Sequence, residues 1–171
     1  MEKIKNFIIT QKKTLIYWFL LFLWMVVIFI FSQENSSKSG ETSSFFINIF
    51  LKVFYPGFPS LSEIMKEQII DNYQFLVRKL AHFTIFGILG VFSVLAYNSL
   101  KTYTTIKLGL YSLLTCIGYA IFDEIHQHFV PGRACQLTDV LIDSAGALLF
   151  ILVSLLILNF IKKKKSQRVI D

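Results

Sequence analysis

Apolar residues in this chain gather into four long stretches, which cover residues 15–31, 80–97, 106–122 and 141–161. Each stretch has close to the roughly 17–25 residues that a helix needs to cross the hydrocarbon core of a bilayer. Apart from tyrosines and Cys116, their ionisable side chains are His82, Lys107 and Asp143, each near the end of a stretch. A charge at the bilayer centre costs about 2.5–3.5 kcal/mol, so this placement is typical of membrane spans. The pattern predicts an all-α polytopic membrane protein with four transmembrane helices.

The segment between the first and second spans, residues 32–78, contains a shorter amphipathic pattern. Its apolar residues recur with helical spacing, and they are Phe45, Phe46, Ile49, Phe50, Val53 and Phe54. A helix with one such face is suited to the boundary between lipid and water. We therefore expect an extracytoplasmic interfacial helix here, with packing of this face against the bundle as an equal alternative. The sequence Ser60-Leu61-Ser62-Glu63 then predicts a capping box that opens a further helix leading towards the second span.

Composition and charge narrow the class of protein. Hydrophobic residues make up 54% of the chain and charged residues 16%, whereas soluble domains carry about 25% charged residues. The net charge of +6 lies mainly at the two ends, because residues 1–13 hold four lysines against Glu2 and residues 162–171 hold five basic residues against Asp171. Basic residues that flank apolar spans are typical of membrane proteins. The pattern disfavours a soluble enzyme, a disordered protein and a nucleic-acid partner.

The same charges predict an orientation in the cell membrane. The link between the second and third spans contains Lys101, and Lys107 lies just beyond it. The positive-inside rule places this link and both termini in the cytoplasm. No small-residue cleavage site follows the first stretch, so we expect a span here and not a signal peptide. The chain then divides into a basic N-terminus (1–13), a membrane domain (14–161) and a basic tail (162–171).

Polar residues collect at the predicted outer ends of the second, third and fourth spans. Helical spacing puts Lys79 and His82 on one face of the second span and Asp139 and Asp143 on one face of the fourth. If the helices form one bundle, these faces converge with the end of the third span. The predicted cluster has nine members: Lys79, His82, Asp123, Glu124, His126, Gln127, Arg133, Asp139 and Asp143. Ionisable residues at membrane depth usually face the bundle interior or a wet cavity, which makes them functional candidates.

The residue types suggest roles for this cluster. Binding roles are assigned to Lys79, His82, Gln127, Arg133, Asp139 and Asp143, because basic groups suit a phosphate and Arg binds it with bidentate geometry. Candidates for general acid–base catalysis are Asp123, Glu124 and His126. Structural alternatives are a snorkelling Lys79, an Asp139 that stabilises its helix dipole and an Arg133 ion pair. No metal and no cofactor is assigned, although Asp123, His126, Asp139 and Asp143 form an alternative metal site.

Four motifs resemble those of the VanZ-like membrane protein family. They are Phe31-Ser32-Gln33, Arg78-Lys79-x-x-His82-Phe83-x-x-Phe86-Gly87, Asp123-Glu124-x-His126-Gln127-x-Phe129-x-Pro131-Gly132-Arg133 and Asp139-Val140-x-x-Asp143-x-x-Gly146. The resemblance covers roughly residues 14–161 and implies a multi-pass protein of the cell membrane. It also implies a link to susceptibility to teicoplanin, a drug that acts on cell-wall precursors at the outer face.

Three functions remain as hypotheses. The first is binding, or modification, of a lipid-linked phosphate or cell-wall precursor at the outer face, with membrane lipid as the partner. The second is transport or proton relay, which the lack of ionisable residues deeper in the spans disfavours. The third is a non-enzymatic interaction protein in which the cluster is a structural clasp between helices. Whether the protein is an enzyme stays open.

Overall fold

The computed structural model describes residues 2–33, 36–131, 133 and 135–167, with their side chains except at 2–10, 36–43 and 46. The described residues are mostly helical and contain no strand. Its elements are α1 (Glu2–Ser32), α2 (Ser36–Phe54), a 3₁₀ turn (Phe58–Ser60), α3 (Glu63–Ser99), α4 (Thr105–His128) and α5 (Leu137–Gln167). Four helices are long and apolar enough to span a membrane: residues 11–32 of α1 and all of α3, α4 and α5. The all-α, four-span prediction is therefore confirmed.

Contacts between the spans show that the chain runs up and down through one bundle. The Thr14 hydroxyl near the start of α1 donates to the carbonyl of Ser99 at the end of α3, so these helices are antiparallel. The Thr105 hydroxyl at the start of α4 bonds Asn159 near the end of α5, which makes this pair antiparallel as well. Spans α3 and α5 therefore run parallel, and the α3–α4 link and the C-terminal end of α5 lie at the same end of the bundle.

Small residues bring α3 and α5 close together in the centre of the bundle. A Cβ atom at Gly90 would lie 2.9 Å from the carbonyl oxygen of Ala147. Around this contact, Phe86, Leu89 and Ile151 are almost completely buried. Close backbone approach through small side chains is a common way for membrane helices to associate, because lipid provides no hydrophobic driving force between them. This packing fixes the register of α3 against α5.

Helix α3 is longer than a span requires. Its 37 residues extend over about 55 Å at 1.5 Å per residue, against roughly 30 Å for the hydrocarbon core. As predicted, the helix that opens after the 3₁₀ turn runs directly into the second span. The position of the cap was wrong, because Ser62 and not Ser60 is the N-cap: Ser62 is extended and its hydroxyl accepts from the Met65 amide. Ser60 is instead the last residue of the 3₁₀ turn.

Helix α2 packs on the projecting part of α3 through one face and leaves the other open. Ile47 on α2 is buried in a small core with Phe58 and Ile70. The face predicted from the sequence points elsewhere: Phe50 is 59% exposed and Phe54 is 69% exposed. The interfacial helix between the first two spans is confirmed, and its predicted apolar face is not covered by the bundle. The side chain of Phe46 lies outside the described residues.

Candidate functional site

Two polar contacts join α3 to α5 at the end of the bundle where both spans begin. The Lys79 ammonium pairs with the Asp139 carboxylate. One turn further along both helices, Nδ1 of His82 lies 3.6 Å from Oδ1 of Asp143. The spacings of three and four residues place each pair on the shared face, as the sequence predicts. Lys79 and His82 are half-buried, whereas Asp143 is 2% exposed.

Helix α4 adds a buried hydrogen-bonded chain to the same end. The Gln127 amide nitrogen donates to Oδ2 of Asp123 over 2.8 Å. Nη1 of Arg133, in the loop after α4, donates to the Gln127 amide oxygen over 2.9 Å. Asp123 is 1% exposed and Gln127 is 4% exposed, so these hydrogen bonds connect the half-buried Arg133 to a buried carboxylate. Gln127 is therefore a positioning residue for Asp123 as well as a neighbour of Arg133.

The Glu124 carboxylate binds a backbone amide. Its Oε1 accepts from the backbone amide of Gln136 over 2.5 Å. Gln136 directly precedes α5, which begins at Leu137. The buried Glu124 thus ties the end of the loop to α4, and a hydrogen bond from an amide to a charged group is stronger than one between neutral groups. This contact helps to fix where α5 begins, and with it Asp139 and Asp143.

Three helices meet at His82, Asp123 and Asp143. One ligand-type atom from each of these side chains lies within 4.8 Å of the others. Oδ1 of Asp123 and Oδ1 of Asp143 are buried, and neither makes a hydrogen bond. The sequence alternative of a metal site proposed His126 and Asp139 in this group. In the described structure His82 takes that place, and Asp139 is paired with Lys79.

His126 lies at the side of the cluster, against α1. Its ring packs on Phe29 with 4.4 Å between ring centroids, and its Nε2 is buried. Ser32 at the end of α1 is 3% exposed, and its hydroxyl is near the Asp123 carboxyl. Sequence reasoning quoted Ser32 in a family motif but did not include it in the site. A polar residue that ends an apolar span was the available signal, and it is too common to be specific.

The cluster has a buried layer and a half-buried layer. The buried members are Asp123, Glu124, Gln127 and Asp143. The half-buried members are Lys79, His82, His126, Arg133 and Asp139. The nine predicted residues therefore lie at one end of the bundle, with the permanent cations outside and most carboxylates inside. His128, which was not included, is exposed.

The family model described as VanZ/LLP1 matches residues 17–158, from α1 to α5. The chain belongs to the VanZ/LLP1 family. No curated protein and no solved structure is significantly similar to it. Together with its four candidate spans, membership makes this a multi-pass, VanZ-like membrane protein. The VanZ/LLP1 match includes every member of the cluster.

Away from the cluster, the buried polar side chains of this VanZ/LLP1 protein are uncharged among the described residues. Among the described residues, the buried charged side chains are Asp123, Glu124 and Asp143, all at one end. Towards the other end, the buried polar side chains are the hydroxyls Ser93 and Ser112. Pumps and transporters normally carry ionisable groups deeper in the membrane. The interior therefore favours a site at one membrane surface over a path across the membrane.

Proposed function

We propose that this protein binds the phosphate-bearing headgroup of a lipid-linked cell-envelope precursor at the extracytoplasmic surface. The observation that carries the proposal is the position of Lys79 and Arg133. Both cations are half-buried beside a polar layer at the end of three spans, the level at which lipid headgroups would meet the bundle. A lipid-linked ligand can reach such a site from within the leaflet, without leaving the membrane.

Charge along the chain supports the extracytoplasmic placement. The end of the bundle opposite the cluster carries Lys12, Lys13, Lys101, Lys107 and the run Lys162–Lys165. The antiparallel packing of α1 with α3 and of α4 with α5 gathers these lysines at one end. The positive-inside rule assigns that end to the cytoplasm, so the cluster belongs to the outer leaflet.

The chemistry of the cluster suits a phosphate and provides groups for further steps. The Arg133 guanidinium is permanently charged and binds phosphate oxygens in a planar fork, while Lys79 supplies a mobile ammonium. Asp123, Glu124 and His126 are the groups that would orient the ligand or transfer protons in a modification of it. Such a ligand would connect the protein to susceptibility to teicoplanin, which acts on cell-wall precursors at the same surface.

The experiment compares two probes that differ only in the phosphate: a polyprenyl phosphate and the corresponding polyprenol. Purified protein in detergent is examined by native mass spectrometry with each probe. We expect one-to-one binding of the phosphate form and none of the alcohol, with loss of binding in Arg133→Ala and in Lys79→Ala. Arg78→Ala is the matched control, because Arg78 is next to Lys79 but points about 100° away on the helix. Equal binding of both probes would contradict the proposal.

A structural clasp is the second candidate, and one observation favours it. The Lys79–Asp139 and His82–Asp143 contacts join α3 to α5. Buried ion pairs can specify which helices meet without adding net stability. A clasp predicts that Lys79→Ala lowers thermal stability and function in proportion. If the cluster binds phosphate, Lys79→Ala should lower the affinity for phosphate while the variant stays folded.

A further inference from the structure

We infer that His82, Asp123 and Asp143 form a binding site for one divalent transition-metal ion. These residues come from three different spans, and their nearest ligand atoms lie within 4.8 Å of one another. For a tetrahedral ion with bonds of about 2.1 Å, neighbouring ligand atoms are roughly 3.4 Å apart. The 3.6 Å between Nδ1 of His82 and Oδ1 of Asp143 is close to that spacing. Small movements of three side chains would complete the site.

The two carboxylates carry oxygens that suit a cation. Oδ1 of Asp123 and Oδ1 of Asp143 are buried and have no hydrogen-bond partner at ordinary distance. The Ser32 hydroxyl is near the Asp123 carboxyl, and Nδ1 of His82 lies 3.6 Å from Oδ1 of Asp143. Buried polar atoms are nearly always partnered in native proteins. The residues themselves are 1% and 2% exposed, so bulk water does not satisfy these atoms. An ion bound between them would satisfy both at once.

Charge gives an independent argument for a cation. The cluster holds four carboxylates, on Asp123, Glu124, Asp139 and Asp143, against the two permanent cations Lys79 and Arg133. Lys79 is paired with Asp139, one helical turn away from the three-residue site. Carboxylates that share a buried site stay charged together only where a cation lies between them, and otherwise one of them takes up a proton. A divalent ion supplies the two positive charges that the cluster lacks.

Neighbouring residues orient the Asp123 carboxylate, as the outer partners of metal ligands do. Gln127 donates to Oδ2 of Asp123 and leaves the buried Oδ1 available to an ion. Arg133 in turn holds the Gln127 amide. Outer partners of this kind orient metal ligands, and their loss typically costs about 10–100-fold in metal affinity. One imidazole nitrogen and two carboxylate oxygens match the donor preferences of Mn²⁺ and Zn²⁺, and three protein ligands leave a position open for a further oxygen.

Zn²⁺ alone, without lipid ligand, is the probe that tests the inference. Full-length protein purified without a polyhistidine tag is stripped with a chelator and titrated with Zn²⁺ by calorimetry, and the stoichiometry is read by native mass spectrometry. We expect one Zn²⁺ per chain, loss of that binding in His82→Ala, Asp123→Asn and Asp143→Asn, and about 10–100-fold weaker binding in Gln127→Leu. Circular dichroism confirms that each variant is folded.

His128→Ala and Asp71→Asn are the matched controls, because both residues are exposed and outside the cluster. They should bind Zn²⁺ as the wild type does. The absence of stoichiometric binding by the folded wild-type protein, or undiminished binding in the three site variants, would overturn the inference.

X-ray absorption of the Zn²⁺-loaded wild type tests the site without any substitution. We expect a shell of nitrogen and oxygen at about 2.0–2.2 Å with the outer scattering of one imidazole. A sulfur shell or several imidazoles would overturn the assignment. Because no lipid is present, failure of Zn²⁺ binding is distinguishable from failure of the polyprenyl phosphate to bind.

Discussion

The carbonyl oxygen of Phe83 lies so close to Gly146 that it would clash with any Cβ atom at that position. Phe83 follows His82 on α3, and Gly146 lies less than one turn after Asp143 on α5. The backbones of the two helices thus approach closely directly beside the His82–Asp143 contact. Any side chain at position 146 would separate the helices at the point where the cluster is assembled.

Gly146→Ala should therefore destabilise the protein. The added methyl group meets backbone atoms, which cannot rotate away as a side chain can, and overpacking of this kind costs about 1–3 kcal/mol. Gly118→Ala is the control, because a Cβ at Gly118 has no neighbouring atom within 4 Å. Thermal unfolding in detergent should show a lower midpoint for Gly146→Ala and no decrease for Gly118→Ala. Identical midpoints for Gly146→Ala and wild type would contradict this packing.

The spans could be predicted because one physical requirement, the length of an apolar helix in lipid, defines them. The site could be predicted only in part. Helical spacing correctly paired the face of Lys79 and His82 with that of Asp139 and Asp143. It could not show that the His126 ring packs on Phe29, because the position of α1 follows from packing and not from spacing within α4.

The N-cap of α3 shows a similar limit on a smaller scale. Ser60 and Ser62 are both good capping residues in the sequence. Ser62 is the cap because Ser60 is part of the 3₁₀ turn over Phe58–Ser60, whereas Ser62 is extended directly before the helix. Phe58 is completely buried, so the tertiary core under α2 determines the turn.

Gln127→Leu should destabilise the protein more than the small change in side-chain volume suggests. Gln127 links Asp123 to Arg133 through two hydrogen bonds, and it is itself buried. Leucine has similar volume but leaves Oδ2 of Asp123 without this donor, and an unsatisfied buried polar group costs about 1–3 kcal/mol. His128→Leu, one residue along at an exposed position, should be near neutral. Equal unfolding midpoints for the two variants would show that the chain of hydrogen bonds contributes nothing.

The open face of α2 should be in contact with lipid. Phe50 is 59% exposed in the bundle, whereas Lys52 lies on another side of the same helix. Spin labels are placed at Phe50→Cys or Lys52→Cys in a Cys135→Ala background. Cys116 is buried and should not react. The two labels are compared in liposomes. The label at position 50 should be the more accessible of the two to oxygen, which dissolves in lipid. The label at position 52 should be the more accessible to a water-soluble nickel complex. The reverse order would place this face in water.

Cys135 provides a direct test of the orientation. It is exposed in the segment between α4 and α5, at the same end of the bundle as the cluster, and the other cysteine, Cys116, is buried. The wild-type chain is therefore its own single-site reporter. A membrane-impermeant maleimide should label it in intact spheroplasts, because the lysines at the opposite end hold that end in the cytoplasm.

Two variants make this labelling conclusive. Cys135→Ser should not be labelled at all, which shows that Cys116 is silent. Lys164→Cys in the Cys135→Ser background should be labelled only after the spheroplasts are opened, because residue 164 lies at the end of α5 that the charges assign to the cytoplasm. Labelling of Cys135 only after opening would reverse the topology. The cluster would then face the cytoplasm, and an outer-leaflet precursor could not be its ligand.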